Sequence, residues 1–172
     1  MGVIFVAGVH AVGKTTLCKR AEQELGIAHY TASGLIRAEK ASAIPERGKA
    51  VDNVTDAQRL LIQGVERVKS LHDGRFLLDG HFSLLTSDGR IEPIEVEVFR
   101  ALGVGRAILI HDAPEAIAQR WQVRDGQANS LDTIKTHQEA ELKNARHVAQ
   151  SMAIPLVEIQ AFDFSAFLGN LG

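Results

Sequence analysis

The chain has 172 residues, a formal net charge of −2, 45% hydrophobic residues and 23% charged residues. This length suits one domain with a buried core, and the near-neutral charge gives no overall basic surface of the kind that nucleic-acid-binding domains use. The single cysteine, Cys18, excludes an internal disulfide and a cysteine-rich zinc site. No apolar segment approaches membrane-spanning length, and no positive charge precedes the apolar N-terminal run, so we expect a soluble, cytoplasmic protein without a signal peptide.

The predicted elements begin with a strand, a glycine-containing loop and a helix. Residues 3–7 form a β-branched apolar run typical of a buried strand, and residues 14–25 are typical of a helix that ends at Gly26. Residues 8–16 read Gly-Val-His-Ala-Val-Gly-Lys-Thr-Thr, which matches the pattern G-x-x-x-x-G-K-S/T at every required position. With a strand before it and a helix after it, the pattern predicts a phosphate-binding loop rather than a chance match in a tight turn.

The residue types in this loop suit an anion. Gly8 and Gly13 permit backbone angles that other residues avoid, and they let main-chain N–H groups approach a phosphate at the positive end of the following helix. Lys14 is expected to reach the β- and γ-phosphates, with its side chain meeting solvent and ligand more than core, and the Thr15 hydroxyl is expected to bind Mg²⁺. The residues predicted to bind the nucleotide are Gly8, His10, Ala11, Val12, Gly13, Lys14, Thr15 and Thr16.

Strands and helices continue to alternate up to residue 80. The predicted elements are a strand over residues 27–31, a helix that Ser33 caps, a helix from a capping box at residues 55–58 to about residue 71, and a strand over residues 76–79. Residues 41–53 contain serine, proline, glycine and asparagine between charges, which predicts a mobile connection.

The second half keeps the alternation with one interruption. Residues 81–93 predict a hairpin or an ordered loop. The elements after it are a helix over residues 96–102, a strand over residues 107–110, a helix from an N-cap at Asp112 to about Arg124, a polar break at residues 125–130, a long helix with the buried stripe Ile134, Leu142, Ala145, Val148 and Met152, a strand over residues 155–159 and a helical turn over residues 162–168. No repeat or long linker divides the chain, so we expect a single domain over residues 1–172.

Five short apolar strands that alternate with helices predict a parallel sheet covered on both faces. In such sheets the ligand binds at the carboxyl ends of the strands. This arrangement would place the loop, residues 31–33, Asp79 and Asp112 along one edge. Asp79, at the end of an apolar strand, is the natural second Mg²⁺ residue. The alternative is that Asp79 bonds local backbone in a turn with Gly80.

Several segments together resemble a known family. They are the loop, residues 31–37 (Thr-Ala-Ser-Gly-Leu-Ile-Arg), residues 77–81 (Leu-Leu-Asp-Gly-His), and the helix that starts Asp-Ala-Pro-Glu at residues 112–115 and reaches Arg120 and Arg124. In order and spacing they resemble nucleoside monophosphate kinases, most of all archaeal-type adenylate kinases and their bacterial relatives. The resemblance implies a P-loop NTPase fold, a three-layer α/β/α sandwich with a five-stranded parallel sheet. It also implies ATP and Mg²⁺, and transfer of the γ-phosphoryl group to a nucleoside monophosphate.

The resemblance also implies roles for individual residues. Residues 33–71 would form the acceptor-binding region. Thr31, Ser33 and Arg37 would contact the acceptor nucleotide, and the alternative for Arg37 is a solvated helix face. Arg120 and Arg124 would clamp the donor phosphates beside a short lid at residues 124–131, and Lys14, Asp79 and these two arginines would form the catalytic set. The alternative for the arginines is ion pairing with Glu115 or another surface acid.

The sequence also supports hypotheses about single histidines, a loop alanine and the isolated aromatic residues. His10, within the loop, is a candidate phosphate contact, and His81, after the acidic strand end, is a candidate pocket residue. Ala11 stands where many nucleotide kinases have a third loop glycine, and the lid stretch of residues 125–130 has no arginine of its own. The remaining histidines show no metal-ligand spacing, and Trp121 and Tyr30 are interpreted as packing residues.

Two other functions stay open. One is a kinase for a small hydroxyl metabolite or a nucleic-acid end, in which case Asp79 would orient or deprotonate the hydroxyl. The other is a regulatory ATPase that acts without an acceptor, although the N-K-x-D motif of a GTPase switch is absent from the sequence. We expect a small-molecule nucleotide acceptor as the partner, with no membrane and no nucleic acid.

Overall fold

A computed structural model describes residues 2–42, 55–71, 74–127 and 129–172. The strands are β1 (Val3–Ala7), β2 (His29–Thr31), β3 (Phe76–Gly80), β4 (Ser83–Leu85), β5 (Ile91–Pro93), β6 (Val104–His111) and β7 (Leu156–Gln160). The helices are α1 (Lys14–Leu25), α2 (Ala32–Ser42), α3 (Asp56–Leu71), α4 (Val96–Leu102), α5 (Pro114–Asp125), α6 (Leu131–Met152) and α7 (Phe164–Gly169).

Five strands form one parallel sheet in the order β2-β3-β1-β6-β7. The central strand β1 lies between β3 and β6, and its Val6 is in register with Asp79 on one side and Ile108 on the other. Thr31, the last residue of β2, is also in register with Asp79. The carboxyl ends of the strands therefore meet at one edge, as the sequence predicts.

Helices cover both faces of this sheet. Val3, Phe5 and Ala7 of β1 belong to a buried cluster with residues of α3, α4 and α6, whereas Ile4 and Val6 belong to a second cluster with residues of α1, α5 and α7. This alternation follows from the two-residue repeat of a strand, and it explains why β1 is apolar throughout. The predicted fold class, a three-layer α/β/α sandwich with a five-stranded parallel sheet, is confirmed.

The end of α1 and the starts of α2 and α3 can be compared with the capping residues that the sequence predicts. The Gly26 N–H donates to Glu22 O at the end of α1, and Thr55 and Gln58 exchange the two hydrogen bonds of a capping box. Ser33 is not the cap of α2, because the Thr31 hydroxyl accepts from the Gly34 N–H at 3.1 Å and the helix begins before Ser33.

The hairpin alternative is confirmed for residues 81–93. Strands β4 and β5 pair antiparallel, with Leu84 opposite Glu92. The predicted mobile connection at residues 41–53 lies almost entirely outside the described residues; its first two positions belong to α2. Within the part of the chain that the structure describes, no helix is both long and apolar enough to cross a membrane.

Candidate active site

The phosphate-binding loop joins β1 to α1 and has an unusual backbone. Gly8 has φ 146° and Gly13 has φ 112°, angles that favour glycine. A Cβ on Gly8 would lie 2.5 Å from the Ile110 carbonyl oxygen, so no larger residue fits there without a shift. Ala11 adopts a left-handed conformation with φ 61°, which an alanine disfavours; this is the position where many nucleotide kinases have a third loop glycine.

The Lys14 ammonium group folds back onto the loop. Its Nζ donates to the Gly8 carbonyl at 2.7 Å and to the Val9 carbonyl at 3.1 Å, and lies 4.0 Å from Asp79 Oδ1. We expected this side chain to meet solvent and ligand more than core; it is only 8% exposed, so the solvent part of that expectation is wrong, although Lys14 does line the candidate cavity. Burial lowers the pKa of Lys14, while the Asp79 carboxylate opposes that shift.

Thr15 and Asp79 form an oxygen pair between α1 and β3. The Thr15 hydroxyl donates to Asp79 Oδ2 at 2.8 Å. Burial would raise the pKa of Asp79, but His29, the Lys14 ammonium and the Thr15 hydroxyl together lower it below its usual value. A hydroxyl and an ionised carboxylate are hard oxygen ligands, which fit Mg²⁺ bound partly by protein and partly by substrate phosphates. Among the described residues no cluster of three His, Cys, Asp or Glu could hold a metal by itself.

A cavity of about 320 Å³ opens beside the loop. It brings together most of the predicted site residues, namely His10, Ala11, Gly13, Lys14, Thr15, Thr16, Thr31, Ser33, Asp79, His81, Arg120 and Arg124. Three predicted residues do not line it. Gly8 lines a neighbouring cavity with Asp112, Val12 is fully buried, and Arg37 is exposed on α2. The carboxyl edge of the sheet therefore brings together all but three of the predicted site residues.

Arg120, on α5, is held against the loop. Its Nε donates to the Ala11 carbonyl at 3.0 Å, its Nη2 donates to Asp112 Oδ2 at 2.8 Å, and its guanidinium lies 5.1 Å from the centre of the Phe162 ring. The partner acid is thus Asp112 and not Glu115. Asp112 does not cap α5: the helix has Ala113 at its N-cap and no side-chain cap, and the Asp112 carboxylate instead accepts from Arg120 and from Gln160 Nε2 at 2.6 Å.

The last turn of α5 contacts the loop through His10. His10 Nε2 lies 2.7 Å from Asp125 Oδ2, and the His10 ring centre lies 4.6 Å from that of Trp121. Arg124 lines the cavity but is largely exposed, with its Nε 3.4 Å from Asp125 Oδ1. Arg124 therefore pairs with a surface acid, the alternative that the sequence left open, while remaining at the cavity wall.

His81 follows β3 directly and is enclosed by the protein. Burial lowers the pKa of His81 to about 3, and the nearby Lys14 ammonium acts in the same direction, so the ring is neutral. Its Nδ1 is buried and has no hydrogen-bond partner among the described residues. The ring centre lies 6.4 Å from that of His137.

Helix α6 carries a buried polar row that the sequence analysis missed. Both Glu141 carboxylate oxygens accept main-chain N–H bonds, from Phe82 at 3.1 Å and from Ser83 at 2.6 Å. Asn144 donates to the Phe82 carbonyl at 2.6 Å, and His137 lies 3.1 Å from the Ser83 carbonyl oxygen. Burial raises the pKa of Glu141, although the hydrogen bonds from Phe82 and Ser83 oppose the shift. The row fixes the segment that follows Asp79 and His81.

The sequence analysis missed two further residues, one beside Asp79 and one in the cavity wall. His29 Nε2 lies 3.8 Å from Asp79 Oδ2, and its side chain is 6% exposed, so this histidine is a buried neighbour of the Thr15–Asp79 pair. Phe162, with φ 64°, lines the cavity, and its ring would lie 3.1 Å from a Cβ on Gly13. Its position just after β7, at the carboxyl edge, is the signal that could have revealed it.

Comparison with known proteins gives a family match and two similar folds. A family model described as an AAA domain matches residues 7–138. No curated protein matches the chain. A gluconokinase from Sinorhizobium meliloti 1021 is similar in structure, with a TM-score of 0.52 and 14% identity over 98% of this chain and 87% of that one. An uncharacterized protein from Eubacterium ventriosum ATCC 27560 gives a TM-score of 0.56 and 11% identity over 99% and 95%.

At such low identities the two structures show a shared fold. The family match over residues 7–138 and the shared fold agree with the predicted α/β/α sandwich around a phosphate-binding loop. They do not single out archaeal-type adenylate kinases.

Proposed function

The chain belongs to the AAA domain family, and from this membership and the geometry of its site we propose that it is an ATP-dependent small-molecule kinase. The observation that carries the proposal is the meeting of Lys14, Thr15 and Asp79 at the carboxyl edge of the sheet. A buried ammonium, a hydroxyl and an ionised carboxylate beside a glycine loop are what a bound Mg²⁺–nucleotide requires.

The chain's own residues divide the work of phosphoryl transfer. The N–H groups at the start of α1 would bind the phosphates, and Lys14 would exchange its loop carbonyl partners for phosphate oxygens. Arg120, held by Asp112, would keep the loop in place and add positive charge at the cavity wall. Thr15 and Asp79 would hold Mg²⁺, which when bound neutralises charge on the phosphates.

The acceptor is the open part of the proposal. A nucleoside monophosphate, as the resemblance implies, would contact Thr31 and Ser33 at the cavity wall, with Arg37 and the rest of residues 33–71 on the acceptor side and residues 124–131 as a lid. In that reaction an anionic phosphate oxygen bonds to the γ-phosphorus as the bond to the β–γ bridging oxygen breaks, and no proton moves. A hydroxyl compound is the second candidate. The cationic residues that line the described cavity, Lys14, Arg120 and Arg124, belong to the loop and α5, so none of them comes from the acceptor side to bind the phosphate of a monophosphate acceptor.

An assay of ADP formation tests the proposal. Purified protein is incubated with Mg²⁺ and ATP, with each nucleoside monophosphate, with hydroxyl metabolites, and with no acceptor. We expect acceptor-dependent ADP formation, and we expect Lys14→Met to lower kcat by about 10²-fold or more because the ammonium is lost where charge develops. Lys19→Met, which changes an exposed lysine on the same helix, is the control and should leave kcat unchanged. Only slow, acceptor-independent hydrolysis would favour a regulatory ATPase.

Arg37→Ala tests the nucleotide acceptor. If a monophosphate is the acceptor and Arg37 reaches it on closure, KM for the acceptor rises about tenfold or more while KM for ATP is unchanged. Arg146→Ala, which removes an exposed arginine on α6 that pairs with Glu158 outside residues 33–71, is the control. An unchanged acceptor KM in Arg37→Ala would assign Arg37 to the solvated face of α2.

A further inference from the structure

A second cavity, of about 220 Å³, adjoins the phosphate-loop cavity. The two cavities share His10 and His81 in their walls. The other walls are formed by His137 of α6, Trp121 of α5, and Leu84 and Leu85 of β4. Any molecule bound there would lie next to the place where the γ-phosphate of ATP is proposed to bind.

The walls of this cavity are held in place by the polar row of α6. Ser83, which also lines the cavity, is fixed through its N–H and its hydroxyl by Glu141 Oε1, at 2.6 and 2.9 Å. Its carbonyl oxygen lies 3.1 Å from His137 Nε2. On the opposite side, the Trp121 ring packs on His10, which in turn lies 2.7 Å from Asp125. The cavity is therefore built by contacts within the chain and needs no ligand to form.

The walls of the cavity are formed by imidazole, indole, hydroxyl and leucine side chains. Imidazole rings can donate and accept hydrogen bonds, and His81 Nδ1 has no partner in the described parts of the chain. Trp121 and the two leucines offer apolar surface, against which a ring can stack. No lysine or arginine is found among the described residues that line this cavity. A phosphate monoester would find no lysine or arginine among the described lining residues, whereas a hydroxyl-bearing ring would find both hydrogen-bonding groups and an apolar face.

Resting on the proposed kinase function, we propose that the cavity formed by His10, His81, Trp121 and His137 binds the acceptor, and that this acceptor is an uncharged ring compound bearing hydroxyl groups. One hydroxyl oxygen would bond to the γ-phosphorus where the two cavities meet, beside His10 and His81. The bond between the γ-phosphorus and the β–γ bridging oxygen breaks, ADP takes the electron pair, and the hydroxyl proton is released to water. The volume is below the roughly 300–1,000 Å³ of typical drug-sized sites, which suits a small sugar-like ring.

The chain carries its own probe for this cavity, because Trp121 is its single tryptophan. Trp121 fluorescence is titrated with three matched pairs: ribose and ribose 5-phosphate, glucose and glucose 6-phosphate, and adenosine and AMP. We expect saturable binding of at least one uncharged member, with its phosphate ester weaker by about tenfold or more. Equal or tighter binding of the esters, or no binding by any uncharged member, overturns the proposal.

A pair of leucine variants ties the binding to the cavity. Leu84→Phe adds bulk at a wall residue that is 43% exposed, and Leu25→Phe makes the same change at the end of α1, where the leucine is 49% exposed. Leu84→Phe should weaken binding of the uncharged ligand and raise its KM by about tenfold or more, and Leu25→Phe by less than about twofold. Leu85→Phe provides a second blocked wall. Equal effects at Leu84 and Leu25 overturn the assignment.

ATP binding and acceptor-dependent ADP formation, measured on the same samples, separate this proposal from the kinase function. If the protein phosphorylates a nucleoside monophosphate and the cavity variants Leu84→Phe and Leu85→Phe keep that activity, the kinase function stands and the cavity proposal fails. If neither ATP binding nor ADP formation is detected, the kinase function itself fails.

Discussion

At the scale of single residues, Ala11 holds the phosphate loop in a conformation that costs free energy. A left-handed backbone places the alanine Cβ close to the next carbonyl oxygen, at a cost of about 1–2 kcal/mol. Glycine removes this contact but gives the unfolded chain more freedom, which offsets part of the gain. We expect Ala11→Gly to raise the free energy of unfolding in urea by up to about 1 kcal/mol.

The matched control for Ala11 is an alanine with ordinary helical angles. Ala38 is exposed within α2, and Ala38→Gly should lower the free energy of unfolding by about 1 kcal/mol, because glycine is a poor helix former. Ala153, which ends α6 with φ 54°, should behave like Ala11. A loss of stability in Ala11→Gly equal to that in Ala38→Gly would show that the loop angle carries no strain.

At the scale of elements, α6 acts as a polar support for the strand end that carries the site. Glu141 satisfies two main-chain N–H groups that α6 buries completely, so removing its carboxylate leaves buried donors without a partner. We expect Glu141→Ala to lower the free energy of unfolding by about 2–4 kcal/mol. Glu139→Ala, at an exposed position on the same helix, should stay within about 0.5 kcal/mol of the parent protein. Similar urea midpoints for the two variants would contradict the supporting role of Glu141.

At the scale of the whole molecule, local signals were predictable and long-range polar contacts were not. The loop, β1 and Gly26 are specified by neighbouring residues, which is why the sequence places them correctly. Glu141 binds residues 58 and 59 positions away, and a glutamate within a helical pattern is normally interpreted as solvent-facing. Asp112 was interpreted as a helix cap because it directly precedes a helix-start pattern. Its carboxylate instead accepts from Arg120, eight residues further along the chain. Patterns of spacing report hydrophobic faces well, but they do not show which polar groups meet across the fold.

The candidate site joins both halves of the sheet, so ligand binding should stabilise the whole molecule. The cavity is lined from the loop after β1, from the ends of β2 and β3, from α5, and by Phe162 after β7. A ligand present at about 100 times its dissociation constant adds about 2.7 kcal/mol to the folded state. For a chain of this length, that corresponds to a Tm rise of about 5–11 °C with Mg²⁺ and ATP, followed by circular dichroism. The rise should be smaller with ATP alone and largely lost in Lys14→Met, whereas Lys19→Met should retain it. The same rise in Lys14→Met and Lys19→Met would mean that the nucleotide binds away from the phosphate loop.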